Sequence, residues 1–199
     1  MTKKTLKIFA VTLGFIAAAV MLWKLWNFSF FLFGKQYQED YSCTAFEKIE
    51  APISLQDIRQ HPNYTVNNVF VYPKFKPRGE EKNGWVGPYT LYLSIYSQNK
   101  LPFVEVEEVT VRSKSLGTVR VKISKRYTID ESTEDAKRWN NGLNLITYES
   151  EGKLNLNFGD KEEVILKLRI KVENNNNSAT EELKYIFVPV ENSYRVPVV

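Results

Sequence analysis

The chain has 199 residues, a formal net charge of +4 and a single cysteine. Residues 1–35 contain five lysines and no acid, which leaves 22 bases against 23 acids in residues 36–199, a net charge of −1. The larger part of the chain is therefore long enough for one domain with a real core. Because it is nearly neutral, the argument for nucleic-acid binding that a basic domain offers does not apply, and one cysteine excludes an internal disulfide.

The first element is an apolar segment behind a basic start. Three lysines within residues 1–7 precede residues 8–23, which carry no charge. A helix over these residues is about 24 Å long, slightly less than the bilayer core of about 30 Å. The pattern predicts a cytoplasmic basic start over residues 1–7 and a transmembrane signal anchor over residues 8–27.

The far end of this segment has the composition of a membrane interface. Lys24 can reach the headgroup region along its aliphatic stem, and Trp23 and Trp26 are the aromatic type enriched there. We therefore predict that these three residues lie at the interface. Residues 28–42 then form an aromatic interfacial segment and linker, and residues 43–199 form the extracytoplasmic domain.

A cleaved signal peptide is the competing interpretation, since a basic start and an apolar core describe it too. The small residues Ala17, Ala18 and Ala19 lie inside the apolar core rather than after it, which favours an uncleaved anchor. A lipoprotein leader does not fit, because Cys43 follows a charged stretch. The lysine bias places the amino terminus inside, and lysine- and asparagine-rich loops without disulfides suggest the bacterial inner membrane with a periplasmic domain.

Cys43 and His61 are each the single residue of their kind. For Cys43 two interpretations stay open: a small, partly buried structural residue, or a thiol that is reactive or forms an intermolecular disulfide. One cysteine and one histidine in different segments do not make the usual zinc site. We predict no metal and no cofactor.

Most of the remaining chain alternates apolar and polar residues with period two, as β-strands do. Two stretches have the clearest inward rows, which are Tyr89, Leu91, Leu93 and Ile95 in the first and Val164, Leu166, Leu168, Ile170 and Val172 in the second. Further strands are predicted in "VNNVFVYPKF", ended by Pro73, in "GTVRVKISKRYTI" as one strand, in "KLNLNF", and in "EELKYIFVPV" after an asparagine-rich turn.

The stretch "FVEVEEVTVRS" also alternates, but Glu107 and Glu108 break its phase. An extra residue there restores the inward facing of the later valines, so the sequence predicts a β-bulge.

Helix signals are few and short. Ser54 is a predicted N-cap with Asp57 three residues later and Pro62 as a stop. A second short helix is predicted over residues 132–141, ended by Gly142. Both are connectors between strands.

About seven strands, turn signals between them and two minor helices predict an all-β, two-sheet sandwich. The layout from Tyr89 to Val190 resembles an immunoglobulin-like or fibronectin-type sandwich, with "KLNLNFGDKEEVILKLRIKV" similar to the strand–corner–strand near the end of such domains. The paired cysteines of that architecture are missing, and no binding residue is carried over from it.

The segment from Arg112 to Arg126 carries six bases and no acid. One interpretation is structural, with Arg120 and Lys122 on a strand beside Glu105 and Glu107 and pairing with them. The other is a docking patch for an acidic partner. We predict the structural role for Arg120 and Lys122, and partner binding for Lys125 and Arg126, where the alternation ends.

Aromatic residues give the second set of candidate partner-binding residues. Trp85, Tyr92 and Tyr96 lie close in sequence, and the two tyrosines face away from the apolar row. Exposed aromatic side chains are typical of protein-binding surfaces. The alternative is that covering segments bury them.

Catalytic motifs are missing from the sequence. It has no nucleophile elbow, no phosphate-binding glycine loop and no second histidine to act as a base. We therefore predict a non-catalytic, single-pass envelope protein that binds an unidentified protein partner outside the cytoplasm. The alternative is an immunity or inhibitor protein that neutralises a toxin or hydrolase in the periplasm. A third hypothesis is a carboxylate-based hydrolase.

Overall fold

The computed structural model describes residues 14, 17–24, 33–46, 53–81, 84–129, 140–174 and 177–197. The chain divides into two compact units, residues 1–37 with 193–199, and residues 38–192. In the first unit residues 17–24 are helical, and the Trp23 side chain is exposed. Trp26 and much of the predicted anchor lie outside the described residues, as does most of the predicted helix over residues 132–141. Within the described part of the chain, no helix is both long and apolar enough to cross a membrane.

The described residues form ten strands of a single antiparallel sheet, which confirms the predicted all-β class. The strands are β1 (Phe33–Cys43), β2 (Thr65–Val66), β3 (Val69–Glu81), β4 (Gly84–Ser97), β5 (Phe103–Ser113), β6 (Gly117–Arg120), β7 (Ile123–Ile129), β8 (Asn144–Ser150), β9 (Val164–Asn174) and β10 (Asn177–Pro197). Their order in the sheet is β6-β5-β9-β10-β1-β3-β4-β8-β7, and β2 pairs with β3. One short helix, α1 (Leu55–Gln60), lies between two 3-10 turns, Thr44–Phe46 and Pro62–Tyr64.

The two predicted inward rows are confirmed as the centre of the core. The nine side chains of these rows, in β4 and β9, are all fully buried. β10 returns beside β9 as predicted, and its inward residues Leu183, Tyr185 and Phe187 join the same core. Removing this apolar surface from water is the main favourable term for the domain.

The sheet is curled, and one short connection shows how far. Val121 donates its backbone N–H to Val109 in β5, while the carbonyl of Lys122 accepts from Glu151, directly after β8. The backbones of two consecutive residues are thus hydrogen-bonded to the two opposite ends of the sheet, at β5 and just after β8. A second hydrogen bond also joins β8 to β5 across the curled sheet. The Tyr148 hydroxyl in β8 donates to the carbonyl of Val104 in β5 at 3.0 Å.

The predicted β-bulge in β5 is confirmed. The register against β9 shifts between Val106 and Glu108, so Glu107 is the extra residue. Val109 and Val111 beyond it are buried, as the restored phase requires.

Three strand predictions were wrong in their boundaries. The stretch predicted as one strand at residues 117–129 is two, β6 and β7, because the chain passes between the two ends of the curled sheet at Val121 and Lys122. Pro73 does not end β3 but lies inside it opposite Leu93. The "KLNLNF" stretch has the predicted buried Leu154 and Leu156, but it makes only one isolated bridge, between Leu154 and Tyr89.

The predicted N-cap at Ser54 is confirmed. Helix α1 begins with the predicted capping box, in which Ser54 and Asp57 satisfy each other's backbone N–H groups.

The stretch predicted as one strand from Val66 contains instead a two-residue turn, Asn67 and Asn68, both with positive φ (46° and 66°). This is the geometry of a tight hairpin turn, and it joins β2 to β3.

A buried carboxylate holds together the loops at one end of the sheet. Glu162 accepts hydrogen bonds from the Ser115 backbone N–H at 2.8 Å, from the Ser115 hydroxyl, and from the Asn157 backbone N–H at 3.3 Å. Burial alone raises the pKa of Glu162, but the hydrogen bonds from Ser115 and Asn157 outweigh it and hold that pKa below its usual value.

We expect Glu162→Gln to lower the free energy of unfolding by about 1 kcal/mol at pH 7, because it removes the charge from three accepted hydrogen bonds. Since the folded pKa is depressed, the carboxylate's contribution is present above the unfolded pKa of about 4.3 and is lost as pH falls through the folded pKa. The difference between wild type and variant in urea unfolding should therefore shrink below about pH 4.

The neighbouring Glu163 is exposed and provides the control. Glu163→Gln should change little at either pH. Equal effects of the two substitutions at pH 7, or a Glu162→Gln deficit that does not shrink in acid, would contradict the role given to Glu162.

Candidate binding site: the Tyr92 cluster

A group of charged side chains surrounds one tyrosine on the face of β3, β4, β7 and β8 that lies opposite the apolar rows. We call it the Tyr92 cluster, and its members are Lys76, Arg78, Tyr92, Arg126 and Glu149. The strand register builds it, since Tyr92 in β4 lies directly opposite Glu149 in β8 and Lys74 in β3.

Hydrogen bonds and ion pairs join the centre of the cluster. The Tyr92 hydroxyl donates to Glu149 Oε1 at 3.0 Å and accepts from Arg126 Nη1 at 2.8 Å and from Arg78. Glu149 pairs with both guanidinium groups, with Arg78 at 3.2 Å and with Arg126 at 3.0 Å. One carboxylate and one hydroxyl thus hold two arginines in place.

The same ring is also the point where three cations meet. Lys76 Nζ lies 5.2 Å from the Tyr92 ring centroid, and the Cζ atoms of Arg78 and Arg126 each lie 5.4 Å from it. Cations at this distance are attracted to the electron-rich face of an aromatic ring. These three side chains lie over the ring, and Tyr92 is only 7% exposed.

Each arginine of the cluster lies at an irregularity of the sheet. Arg126 is the extra residue of a bulge in β7, where the register against β8 shifts. Arg78 lies opposite Gly87 and Pro88, where the register between β3 and β4 shifts. Gly79 is required beside it, because a Cβ there would overlap the carbonyl oxygen of Gly87. Bulges redirect side chains, and here they direct two guanidinium groups to one tyrosine.

The cluster carries more positive than negative charge. Its three cations face the carboxylate of Glu149, Lys74 lies beside them in the same row, and Asp40 is a second acid that acts on Lys76. Burial lowers the pKa of Lys76, and Lys74, Arg78 and Arg126 lower it further, while Asp40 opposes the shift. Burial is the largest cause of this shift, and the neighbouring cations add to it, as expected where positive charges outnumber negative ones.

Two of the predicted partner-binding residues meet in this cluster. Tyr92 and Arg126, which are 34 positions apart in sequence, contact each other directly. Tyr92 is not the exposed aromatic residue that was expected, because Arg78, Lys76 and Arg126 cover it. Lys125 precedes Arg126 and is exposed. The end of the alternation at Lys125 and Arg126 is not the end of a strand, because both residues are inside β7.

Trp85 and Tyr96 are not members of the cluster. Trp85 is 39% exposed near the start of β4, opposite Glu80. Tyr96 is half-buried against the core, and burial raises the pKa of its hydroxyl to about 12. For Tyr96 the structure therefore favours the covered alternative.

The predicted pairing of Arg120 and Lys122 with Glu105 and Glu107 was wrong. Glu107 pairs with Arg169 of β9 at 2.9 Å, and Glu105 lies opposite Lys171 of the same strand. The part of β5 that contains Glu105 and Glu107 pairs with β9, whereas β6 pairs with residues 110–113 of β5. Arg120 ends β6 with a 4.0 Å contact to Glu108, and Lys122 lies between strands.

Sequence reasoning missed Lys76, Arg78 and Glu149. The signal for the first two was the alternation in "KFKPR", where Lys74, Lys76 and Arg78 follow each other at period two. Pro73 was read as the end of that strand, so this basic face was not recognised. Nothing in the local sequence pairs Glu149 with residues some 70 and 20 positions away.

Cys43 and His61 have structural surroundings. Cys43 is 6% exposed, and burial raises the pKa of its thiol to about 11, which favours the structural interpretation over a reactive thiol. His61 Nδ1 lies 2.8 Å from the Asp57 carbonyl oxygen, and its ring contacts Phe46 edge-on. No group of three or more metal-ligating side chains occurs among the described residues.

Comparisons of the chain with family models, with curated proteins and with solved structures find no match.

We expect Glu149→Gln to lower the free energy of unfolding by about 1–2 kcal/mol, because two guanidinium groups then lose their shared carboxylate. The loss should be largest at low ionic strength and should diminish in high salt, which screens the remaining repulsion among Lys76, Arg78 and Arg126. Adding Arg126→Gln to Glu149→Gln should recover part of the loss. Urea unfolding at two salt concentrations measures all three effects.

Glu182→Gln is the matched control, because Glu182 forms a single exposed pair with Lys167 at 3.2 Å. Exposed pairs of this kind contribute about 0–1 kcal/mol. If Glu149→Gln cost no more than Glu182→Gln, or if the second substitution in the cluster added to the loss, Glu149 would not be the counter-charge described here.

Proposed function

We propose that the protein is a single-pass, membrane-anchored interaction module of the bacterial envelope. In this proposal the residues after the anchor lie outside the cytoplasm and bind a protein partner through an acidic segment of that partner. The observation that carries the proposal is the cation excess of the Tyr92 cluster.

The anchor part of the proposal rests on the sequence. A basic start over residues 1–7, an uncharged run over residues 8–23 and the interface residues Trp23, Lys24 and Trp26 favour an uncleaved span with the amino terminus inside. The near-neutral charge of residues 36–199 argues against nucleic acid as the partner.

We further propose that the curled sheet is a two-layer sandwich of the immunoglobulin-like type. The buried rows of β4 and β9 and the bond from Tyr148 to Val104 support two facing layers. In such a sandwich the Tyr92 cluster lies on an outer face, where a partner can reach it.

The charge of the cluster favours an acidic occupant. Arg78, Arg126 and Glu149 keep 38%, 47% and 28% of their side chains exposed, so each side chain remains partly accessible. Both guanidinium groups are fixed by Tyr92 and Glu149, which reduces the entropy lost when a carboxylate binds. Arginines held in this way bind planar carboxylates through two hydrogen bonds.

The topology can be tested with a fusion of alkaline phosphatase to the carboxyl end of the full chain. We expect an active fusion that stays in the membrane fraction with its amino-terminal residues intact, because the lysine bias places the start inside. An inactive fusion, or a soluble mature form that begins after Ala19 or later, would refute the anchor.

The docking surface can be tested by site-specific crosslinking in intact cells. A photoreactive residue at Lys125 should capture a defined partner, and the charge variant Arg78→Gln with Arg126→Gln should weaken the capture at least about tenfold. The capture should also weaken as salt rises, since the steering is electrostatic.

The matched control is Lys167→Gln with Arg169→Gln, which removes two exposed bases of β9 from outside the cluster. It should leave the capture unchanged. A partner captured equally by both double variants, or one without an acidic contact segment, would refute the proposed role of the cluster.

A further inference from the structure

A second surface, separate from the Tyr92 cluster, is a cleft lined with side-chain amides. It has a volume of about 770 Å³ and lies between the β2–β3 turn, the segment that follows β4, and the adjoining ends of β9 and β10. The asparagines that line it are Asn67, Asn68, Asn99, Asn174 and Asn177.

Hydrogen bonds between these segments fix the shape of the cleft. Asn67 Nδ2 donates to the Asn177 carbonyl at 3.3 Å, and Asn174 Nδ2 donates to the Asn67 carbonyl at 3.4 Å. The fully buried Asn144 holds the third segment, because its Nδ2 donates to the Asn99 carbonyl at 2.7 Å. The cleft is therefore preorganised, which lowers the entropy cost of binding a ligand.

Several of its amides remain available to a ligand. Asn68, Asn99 and Asn177 are exposed, and their side chains make no hydrogen bond to another described residue. Asn67 and Asn68 form a tight turn and have positive φ angles, Asn99 lies in the bend after β4, and Asn177 closes the hairpin between β9 and β10 opposite Asn174. Each amide offers two donors and an acceptor, a combination that matches the hydroxyl groups of a polyol.

An exposed aromatic ring lies in the same cleft. Phe103 is 59% exposed although it begins a strand of the core sheet, and Pro102 lines the cleft beside it. The face of an aromatic ring attracts C–H groups through its quadrupole, so it suits the apolar face of a sugar ring. The amides of the cleft thus match the hydroxyl groups of a saccharide, and the aromatic ring matches its apolar face.

The charges that line the cleft and a hollow next to it indicate which class of ligand fits. Its lining includes one base, Lys100, and one acid, Glu173, so it carries no net charge and favours a neutral ligand. A second hollow of about 650 Å³ adjoins it, shares Asn67, Asn68 and Asn99, and adds one base, Arg59. Two adjoining hollows suit a ligand of repeating units.

We propose that this amide-lined cleft binds a neutral oligosaccharide, with Phe103 packing against a sugar ring and Asn99 and Asn177 bonding to its hydroxyl groups. The site is independent of the Tyr92 cluster. It adds a glycan ligand to a protein whose proposed partner elsewhere is acidic.

The test is a titration of the full-length chain in a zwitterionic, sugar-free detergent with two probes, tetra-N-acetylchitotetraose and cellotetraose. Side-chain amide signals of Asn68, Asn99 and Asn177 in nitrogen-15 correlation spectra should shift with at least one probe, with a dissociation constant of about 1 mM or lower. Phe103→Ala should weaken binding at least about threefold. Asn99→Ala should weaken it as well.

Tyr127→Ala is the matched control, because Tyr127 is an exposed aromatic residue on β7 and does not line the cleft. It should bind the probes as the wild type does. All of these side chains are at least partly exposed, and the same spectra report whether each variant is folded. The absence of any shift with both probes, shifts confined to residues outside the cleft, or equal affinities of Phe103→Ala and Tyr127→Ala would overturn the proposal.

Discussion

The structure depends on one constraint, that every long strand keeps the same face of its alternation in the core. The inward rows of β4 and β9 are fully buried, so a shift of one residue anywhere along these strands would turn apolar side chains outward. A register shift corrects the phase where the sequence would otherwise lose it, as Glu107 does in β5. A bulged residue cannot join the core row. The buried row of β4 fixes the opposite face of that strand as the place of Tyr92, and the candidate binding site is built on that face.

This explains which parts of the fold could be predicted from the sequence. Alternation is a local signal, so the rows of β4 and β9, the bulge at Glu107 and the capping box at Ser54 were all predicted correctly. Strand ends were less predictable. Pro73 lies within β3, and the chain crosses between the two ends of the sheet at Val121, because tertiary pairing outweighed the local stop signals.

The candidate site was harder to predict, since its members come from four strands. Arg126 and Tyr92 were selected from sequence as separate features, one for charge and one for exposure, and the structure brings them into contact. Glu149 could not be found, because only the β4–β8 register places it opposite Tyr92. The expected partners of Glu105 and Glu107 were wrong for the same reason. Opposite charges in sequence give many pairings, and only the strand order selects among them.

The cation excess around Tyr92 is difficult to explain by stability alone. Covering one ring requires one cation above it, and pairing Glu149 requires one guanidinium group, yet three cations converge on Tyr92. Burial lowers the pKa of Lys76, and Arg78 and Arg126 lower it further. Like charges held this close oppose folding, and a neutral side chain in place of Lys76 would relieve that repulsion. A bound carboxylate also relieves it, and in that case the repulsion in the free protein adds to the affinity of the complex. The same charges that weaken the fold locally therefore favour an acidic partner in the proposed function.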